Sequence, residues 1–260
     1  MAFKKDTVMG TMIFTVTLCL LCSFMITGTA ELLKERKLAK KRDEIKRYVL
    51  MASNVEVADG QDFRTIFDQR VTPKLINLNT GEAEQMAVTE IMNFDEKMAA
   101  INPQTSVKPK KDTARIKTRA QDVRVFEVKD AQGKVASMVL PVYGKGLWSM
   151  IYGFVAVEKD LNTIENVVFY EHGETPGIGD FLNDKAWTDT FQGKQLFDDK
   201  GKVAFSVVKG GAKEGDVHGV DAVSGATMTG RGVQRAIQFW FGAEGFQVFF
   251  DKLNASEAGQ

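Results

Sequence analysis

Between Thr7 and Ala30 the chain carries no charged side chain, and the run VMGTMIFTVTLCLLCSFMITG is apolar nearly throughout. Roughly 20 such residues, rising 1.5 Å each, span the hydrocarbon core of a bilayer. A transmembrane helix is therefore predicted within residues 1–30. Gly28, Thr29 and Ala30 would also pass for a signal-peptide cleavage site, but such a peptide has an apolar core of about 7–15 residues and this run is longer. An uncleaved single-pass anchor is the preferred reading. Beyond it, Leu32, Leu33, Leu38, Ile45, Val49 and Leu50 fall loosely on one helical face, so the helix is expected to continue as a basic amphipathic stalk over 31–50.

Residues 51–121 give a mixed pattern. DFRTIFDQR reads as a short helix, VTPKLINLNTGE as a strand entering a turn, and KPKKDTARIKTRAQD as a polar, basic linker or surface segment. From residue 122 the period changes to two. VRVFEV and VASMVLPVYG, joined by AQGK, form a hairpin pattern, and LWSMIYGFVAVE and IENVVFYE read as two further strands. DFLNDKAWTDTFQGKQL is expected to be helical, VAFSVVKG a strand, and RGVQRAIQFWFGAEGFQVFFDKL a helix with Val233, Ile237, Trp240 and Phe241 on one face. Strands first and flanking helices later imply an α+β domain over 122–260 with a mainly antiparallel sheet.

Charge and cysteine content narrow the function classes. Basic and acidic side chains balance, 34 against 34, and a nucleic-acid binder normally carries a basic surplus. Cys19 and Cys22 both lie in the apolar run, which leaves no disulfide scaffold and no cysteine set for an iron–sulfur centre. Their C-x-x-C spacing lacks the helix N-terminus and polar partner that would lower a thiol pKa, so both read as apolar fillers. His172 and His218 are too few for a zinc site.

Three segments carry candidate chemistry. DAVSGATMTGRGV, Asp221 to Val233, places Ser224, Thr227 and Thr229 among small residues ahead of a helical pattern. It is neither a P-loop nor a Rossmann fingerprint. An anion cradle at a helix starting near Thr229, a simple hydroxyl N-cap and an attachment point all remain open. YEHGETPGIGD follows a strand and is rich in glycine and acid, which suits either a plain turn or a ligand loop at a sheet end. In YGKGLWSMIYG, Trp148, Met150 and Tyr152 alternate as along a strand, suited to core packing or to a flat cofactor.

The D-x-x-S-G-A-T pattern of Asp221, Ser224, Gly225, Ala226 and Thr227 resembles the flavinylation motif of FMN-binding domains. Together with GKGLWSMIYGFVAVEKD and FYEHGETPGIGD, it makes nearly the whole chain similar to the C subunit of the bacterial Na+-translocating NADH:quinone reductase. The G subunit of the related Rnf complex shares the S-G-A-T motif and is the alternative relative. It is usually shorter, and the GLWS and EHGETPG context favours the reductase.

The resemblance implies FMN joined by a phosphoester to Thr227, attached by a Mg2+-dependent flavin transferase that uses FAD, with Asp221 as a recognition or metal-proximal residue. It further implies that the phosphate lies at the helix start and that the ring lies towards Trp148 and the EHGETPG loop. Glu174, Thr175, Gly177 and Ile178 become candidate ring contacts and Lys209 a phosphate or ring partner, while Thr229 is left as a helix-start residue. The implied function is electron relay between an iron–sulfur centre and the next flavin, on the path from NADH to ubiquinone, with the A, B, D, E and F subunits as partners. A membrane-anchored assembly module without redox chemistry is the competing class.

Orientation is contested between the two lines of reasoning. Lys34, Arg36, Lys37, Lys40, Lys41, Arg42, Lys46 and Arg47 after the apolar run outnumber Lys4 and Lys5 before it. By the positive-inside rule that places the large domain in the cytoplasm. The resemblance implies an inner-membrane subunit with its flavin domain in the periplasm, and this is the expectation retained.

Overall fold

The computed structural model describes residues 7–258, so Lys4 and Lys5 lie outside the described residues. The chain divides into two compact units, one ending at Glu44 and the other beginning at Ile45. In the first, helix α1 (Val8–Leu32) starts at Thr7, whose side chain accepts the Gly10 N–H. Its apolar side chains are exposed all round, Phe14, Leu20 and Phe24 among them. At 25 residues it is long and apolar enough to cross a membrane. Helix α2 (Lys34–Ala52) follows, and the division between units falls within it.

The second unit is organised by a six-stranded antiparallel sheet. Helix α3 (Phe63–Arg70), capped by Asp62, runs directly into β1 (Val71–Asn77), which pairs with the short β2 (Glu82–Ala83). Helices α4 (Val88–Asn93) and α5 (Glu96–Ile101) and the two-stranded pair β3 (Ser106–Val107) and β4 (Arg119–Ala120) come next. Then come β5 (Asp122–Lys129), β6 (Val135–Lys145), β7 (Met150–Glu158) and β8 (Ile164–Glu171). The sheet order is β2-β1-β5-β6-β7-β8. Since β1 pairs with β5 along its whole length, the sheet runs across the expected boundary at residue 122.

Both faces of this sheet are covered. On one, Phe126, Val128, Val139, Phe154 and Ala156 pack with Ile45, Val49 and Leu50 of α2 and Phe63 and Phe67 of α3. On the other, Val125, Leu140, Val142, Val155 and Val167 pack with helix α7 (Thr227–Trp240) and with Phe249 and Phe250 of α8 (Gln247–Ala258). Residues on neighbouring strand positions thus point to opposite cores, as period-two alternation requires. Buried Arg124 of β5 grips Glu96 with two hydrogen bonds, at 2.5 and 2.7 Å, and donates to Met92 O. That pair fixes α5 against the sheet.

Four expectations are corrected in detail. The segment 180–196 forms two 3-10 turns, Asp180–Asn183 and Asp189–Phe191, around the single turn α6 (Lys185–Thr188), not one helix. Asp184 caps Ala186 N–H, and such short polar side chains compete with the helical ladder. Only Ser206–Val208 (β9) of the segment 203–210 is a strand, and it pairs in parallel with β10 (Gly219–Asp221), outside the main sheet. Gly210 and Gly211, with φ of 87° and 98°, end it.

The segment 231–253 is two helices, because the chain turns at Gly242–Gly245 and Phe246 N–H donates to Trp240 O. A Cβ at Gly245 would collide with that same carbonyl. Lastly, the basic segment 108–122 is not a free linker. Ala114, Arg119 and Ala120 are buried, and Ala114 O accepts Lys145 N–H.

Helix α7 approaches the β6–β7 hairpin closely at Gly232, where an added Cβ would lie 2.9 Å from both Gly146 Cα and Lys145 O. Alanine there gains helix propensity of up to about 1 kcal/mol, but overpacking against backbone costs about 1–3 kcal/mol. Gly232→Ala is therefore expected to lower stability by roughly 1–2 kcal/mol, read as a lower denaturant midpoint in tryptophan fluorescence.

Candidate functional site

The motif's backbone is built as a turn followed by a helix. Ala226 N–H donates to Val223 O at 3.1 Å, and Gly225 holds φ +81°, a position that glycine occupies without strain. Space beside Gly225 is open. Helix α7 begins at Thr227, and its N-cap is Ala226, which makes no side-chain cap hydrogen bond. The hydroxyl N-cap left open by the sequence is therefore not the arrangement adopted. An uncapped N-terminus presents backbone N–H groups and the positive end of the helix dipole. Thr227, its first residue, is half-buried, while Ser224 is exposed.

A cavity of about 100 Å³ opens at this point, lined by Leu147, Glu174, Thr175, Ile178, Thr227 and Met228, with Gly179, Gly225, Ala226 and Thr229 completing its wall. Its mouth is apolar, since Leu147, Ile178 and Met228 are exposed and neighbouring Trp148 is 66% exposed. Trp148 stands in the turn before β7, so neither core packing nor a strand position describes it. Tyr152 is separate from the mouth and stacks on Tyr143 across the sheet.

Glu174 is 5% exposed, and its carboxylate accepts from four donors. Leu147 N–H at 3.1 Å and Thr229 Oγ1 at 2.6 Å bind Oε2; Trp148 N–H at 3.0 Å and Ser149 N–H at 3.2 Å bind Oε1. Burial alone pushes its pKa up, but the Thr229 hydroxyl and the three amides outweigh that and hold it below the ordinary value. Glycines make the room: a Cβ at Gly146 would fall 2.6 Å from Glu174 Oε1, and one at Gly179 would fall 2.8 Å from Glu174 Cβ. Ser149 Oγ in turn accepts Gly173 N–H at 2.6 Å.

The structure thus brings together Thr227, Gly225, Ala226, Glu174, Thr175 and Ile178 around one cavity, with Trp148 at its edge through the Glu174 bond. Gly177 is adjacent in the loop, with φ +76° and its N–H on Asp180 Oδ1. Two expected residues lie apart. Lys209 lines a neighbouring depression that shares Thr227. Asp221 is exposed, its Oδ1 accepting Ala212 N–H at 2.7 Å and its backbone O accepting Trp187 Nε1–H at 2.8 Å. Sequence reasoning assigns Thr229 only a helix-start role, yet it is buried and bonded to Glu174. Leu147 and Met228 at the mouth carry no sequence signal beyond their apolarity.

A half-buried hydroxyl at a helix start without a side-chain cap, open space at Gly225 and an apolar rim fit a ligand such as FMN, which joins an anionic phosphate to a largely apolar ring. The fold and site define an FMN-binding domain, and the family model of that description matches residues 146–242. The C subunit of the Na(+)-translocating NADH-quinone reductase of Haemophilus ducreyi is 39% identical over 256 residues, 98% of this chain and 97% of that one. Its counterpart from Neisseria meningitidis serogroup A is 38% identical over 258 residues, 98% of each.

Among solved structures, Shewanella oneidensis NqrC is 66% identical with a TM-score of 0.81, covering 84% of this chain and 99% of that chain. The C subunit from Parabacteroides distasonis is 25% identical with a TM-score of 0.63, covering 84% and 96%. This chain belongs to the NqrC family, the C subunits of the Na+-translocating NADH-quinone reductase.

The lowered pKa of Glu174 has a stability consequence with a definite sign. Its contribution is present above the ordinary value of 4.5 and is lost as pH falls through the depressed folded value. Glu174→Gln is expected to cost about 1–3 kcal/mol near neutral pH. The gap to the parent chain should close as urea midpoints are followed down from pH 4.5 through the depressed folded value.

Proposed function

We propose that this chain carries FMN as a phosphoester on Thr227 and relays electrons between an iron–sulfur centre and the next flavin of a membrane complex. The path would run from NADH to ubiquinone, with the A, B, D, E and F subunits as partners. The observation that supports this most is the placement of Thr227, a half-buried hydroxyl on the first residue of an uncapped helix, facing an apolar-rimmed cavity. Flavin held there supplies one- and two-electron redox chemistry. The chain's own part is to bind, orient and partly shield it. Leu147, Ile178 and Met228 offer apolar contact, Thr175 and Gly177 shape the loop, and Glu174 fixes that loop to α7.

Attachment needs Thr227 as nucleophile towards FAD. Thr227 Oγ forms the bond to the FMN phosphorus, the diphosphate P–O bond breaks, AMP leaves with the electron pair, and the hydroxyl proton passes to the transferase. Exposed Ser224 and Gly225 leave that hydroxyl accessible to a second protein. Exposed Asp221 serves as a recognition or metal-proximal residue for the Mg2+-dependent transferase. The domain faces the periplasm in this reading, tethered to the inner membrane through α1. A covalent bond suits that side, where a lost flavin has no free pool to replace it.

Three measurements test the reading. Intact mass of the chain from its native membrane is expected to exceed the bare polypeptide by one FMN less one water. Thr227→Ala should lack the fluorescent band on a denaturing gel. A fluorescent band from that variant refutes Thr227, and a bare mass for the parent chain would favour the assembly-module reading. Protease added to intact spheroplasts is expected to digest the large domain, and full protection would place it in the cytoplasm.

A further inference from the structure

The depression on the other side of Thr227 has a volume of about 280 Å³ and is lined by Lys209, Thr227, Arg231, Gln234 and Arg235, with Val207 and Ala222. Thr227, Arg231, Gln234 and Arg235 stand at i, i+4, i+7 and i+8, which is one face of α7. Gln234 Oε1 accepts Val207 N–H at 3.0 Å, so the group it has left to offer is a donor.

The cations here are not neutralised. Among the described residues, none of Arg115, Lys209, Arg231 and Arg235 makes an ion pair. Arg235 Nε donates to Arg231 O at 3.1 Å, while its Nη2 is buried without a hydrogen-bond partner. Burial lowers the Arg235 pKa, and the charges of Arg115 and Arg231 lower it further. Arg115 sits in the left-handed region with φ 58°, rare for arginine. Asp112 holds that turn by accepting Ile116 N–H at 2.9 Å and Lys117 N–H at 2.8 Å.

Like charges at i, i+4 repel, and the first turn of α7 has no acidic residue of its own and no side-chain cap. A bound anion relieves that repulsion, and an unpartnered buried guanidinium N–H is a ready donor to it.

We propose that Arg231, Arg235 and Lys209 form a phosphate-binding pocket contiguous with Thr227. The choice of phosphate over other anions rests on reading Thr227 as the flavin-bearing residue. Two sources share this chemistry, namely the phosphoester carried by Thr227 and the diphosphate of the incoming flavin donor.

The test is calorimetric titration of sodium pyrophosphate into the full chain in detergent, produced without flavin transferase. The flavin-free parent should bind. Arg231→Gln/Arg235→Gln should weaken binding at least about tenfold, the scale of one charge-assisted hydrogen bond, and Arg231→Lys/Arg235→Lys should retain most of it. Arg231→Gln alone, at an exposed position, keeps the comparison informative where the double variant misfolds. No binding by the parent, or equal affinity in the parent and the Gln variants, overturns the proposal.

Repeating the titration on flavin-loaded chain separates the sources. Loss of pyrophosphate binding means that the Thr227 phosphoester fills the pocket, and retained binding assigns it to the donor's phosphate. Failure of the flavin assignment is read elsewhere, in the mass of the native chain, so the two outcomes stay distinguishable.

Discussion

The site depends on one buried carboxylate. Glu174 is nearly enclosed by protein, and burying an ionised group costs several kcal/mol unless its oxygens are satisfied. Here the turn 147–149 supplies three backbone amides and α7 supplies the Thr229 hydroxyl. Three segments far apart in the chain are thereby set in register: the β6–β7 turn, the loop after β8 and the start of α7. Leu147, Ile178 and Met228 can form a common rim only because these segments converge on Glu174. The cavity is thus shaped by the protein's own hydrogen bonds, which reduces the ordering cost of binding.

Helix α7 serves three surroundings with one set of residues. Val233, Ile237 and Trp240 enter the core, where Trp240 Nε1–H donates to Tyr143 O at 2.7 Å. Its first turn faces the apolar-rimmed cavity, and the row Thr227, Arg231, Gln234, Arg235 faces the basic depression. Close approach at Gly232 lets the helix lie against the hairpin while keeping Thr227 at the surface. A rigid scaffold carrying a reactive residue at its end is a common way to place chemistry.

Much of the fold is legible in the sequence because its periods are local. Uniform apolarity marks α1, and alternation marks β5 to β8. Where tertiary partners decide, the local pattern misleads. Phe181, Leu182, Trp187 and Phe191 are all buried, yet the chain there is a series of turns, with Asp184 capping α6. The turn at Gly242–Gly245 is readable from its glycines but is masked by the apolar residues on either side. In the site, residue types point to Thr227 and to the loop 174–178, whereas the role of Glu174 does not show. Its partner Thr229 lies 55 positions away, and no local period encodes such a bond. Arg231 and Arg235 on α7 are visible as an i, i+4 pair, but their meaning depends on Lys209, which only the fold brings near.

The segment DAVSGATMTGRGV resolves into a choice against ordinary helix stability. A Ser or Thr at the N-cap is worth about 1 kcal/mol over alanine, and hydroxyl residues flank the position, yet Ala226 occupies it. A capping side chain would take up an N–H of the first turn and put bulk beside Thr227. Ala226 leaves both the donors and the space, and Gly225 turns the chain without adding a side chain. Repulsion between Arg231 and Arg235 adds to the same deficit. Departures from local rules that cluster within ten residues of one hydroxyl are the pattern expected of a functional site. The large cores on both faces of the sheet are what let the domain carry that deficit.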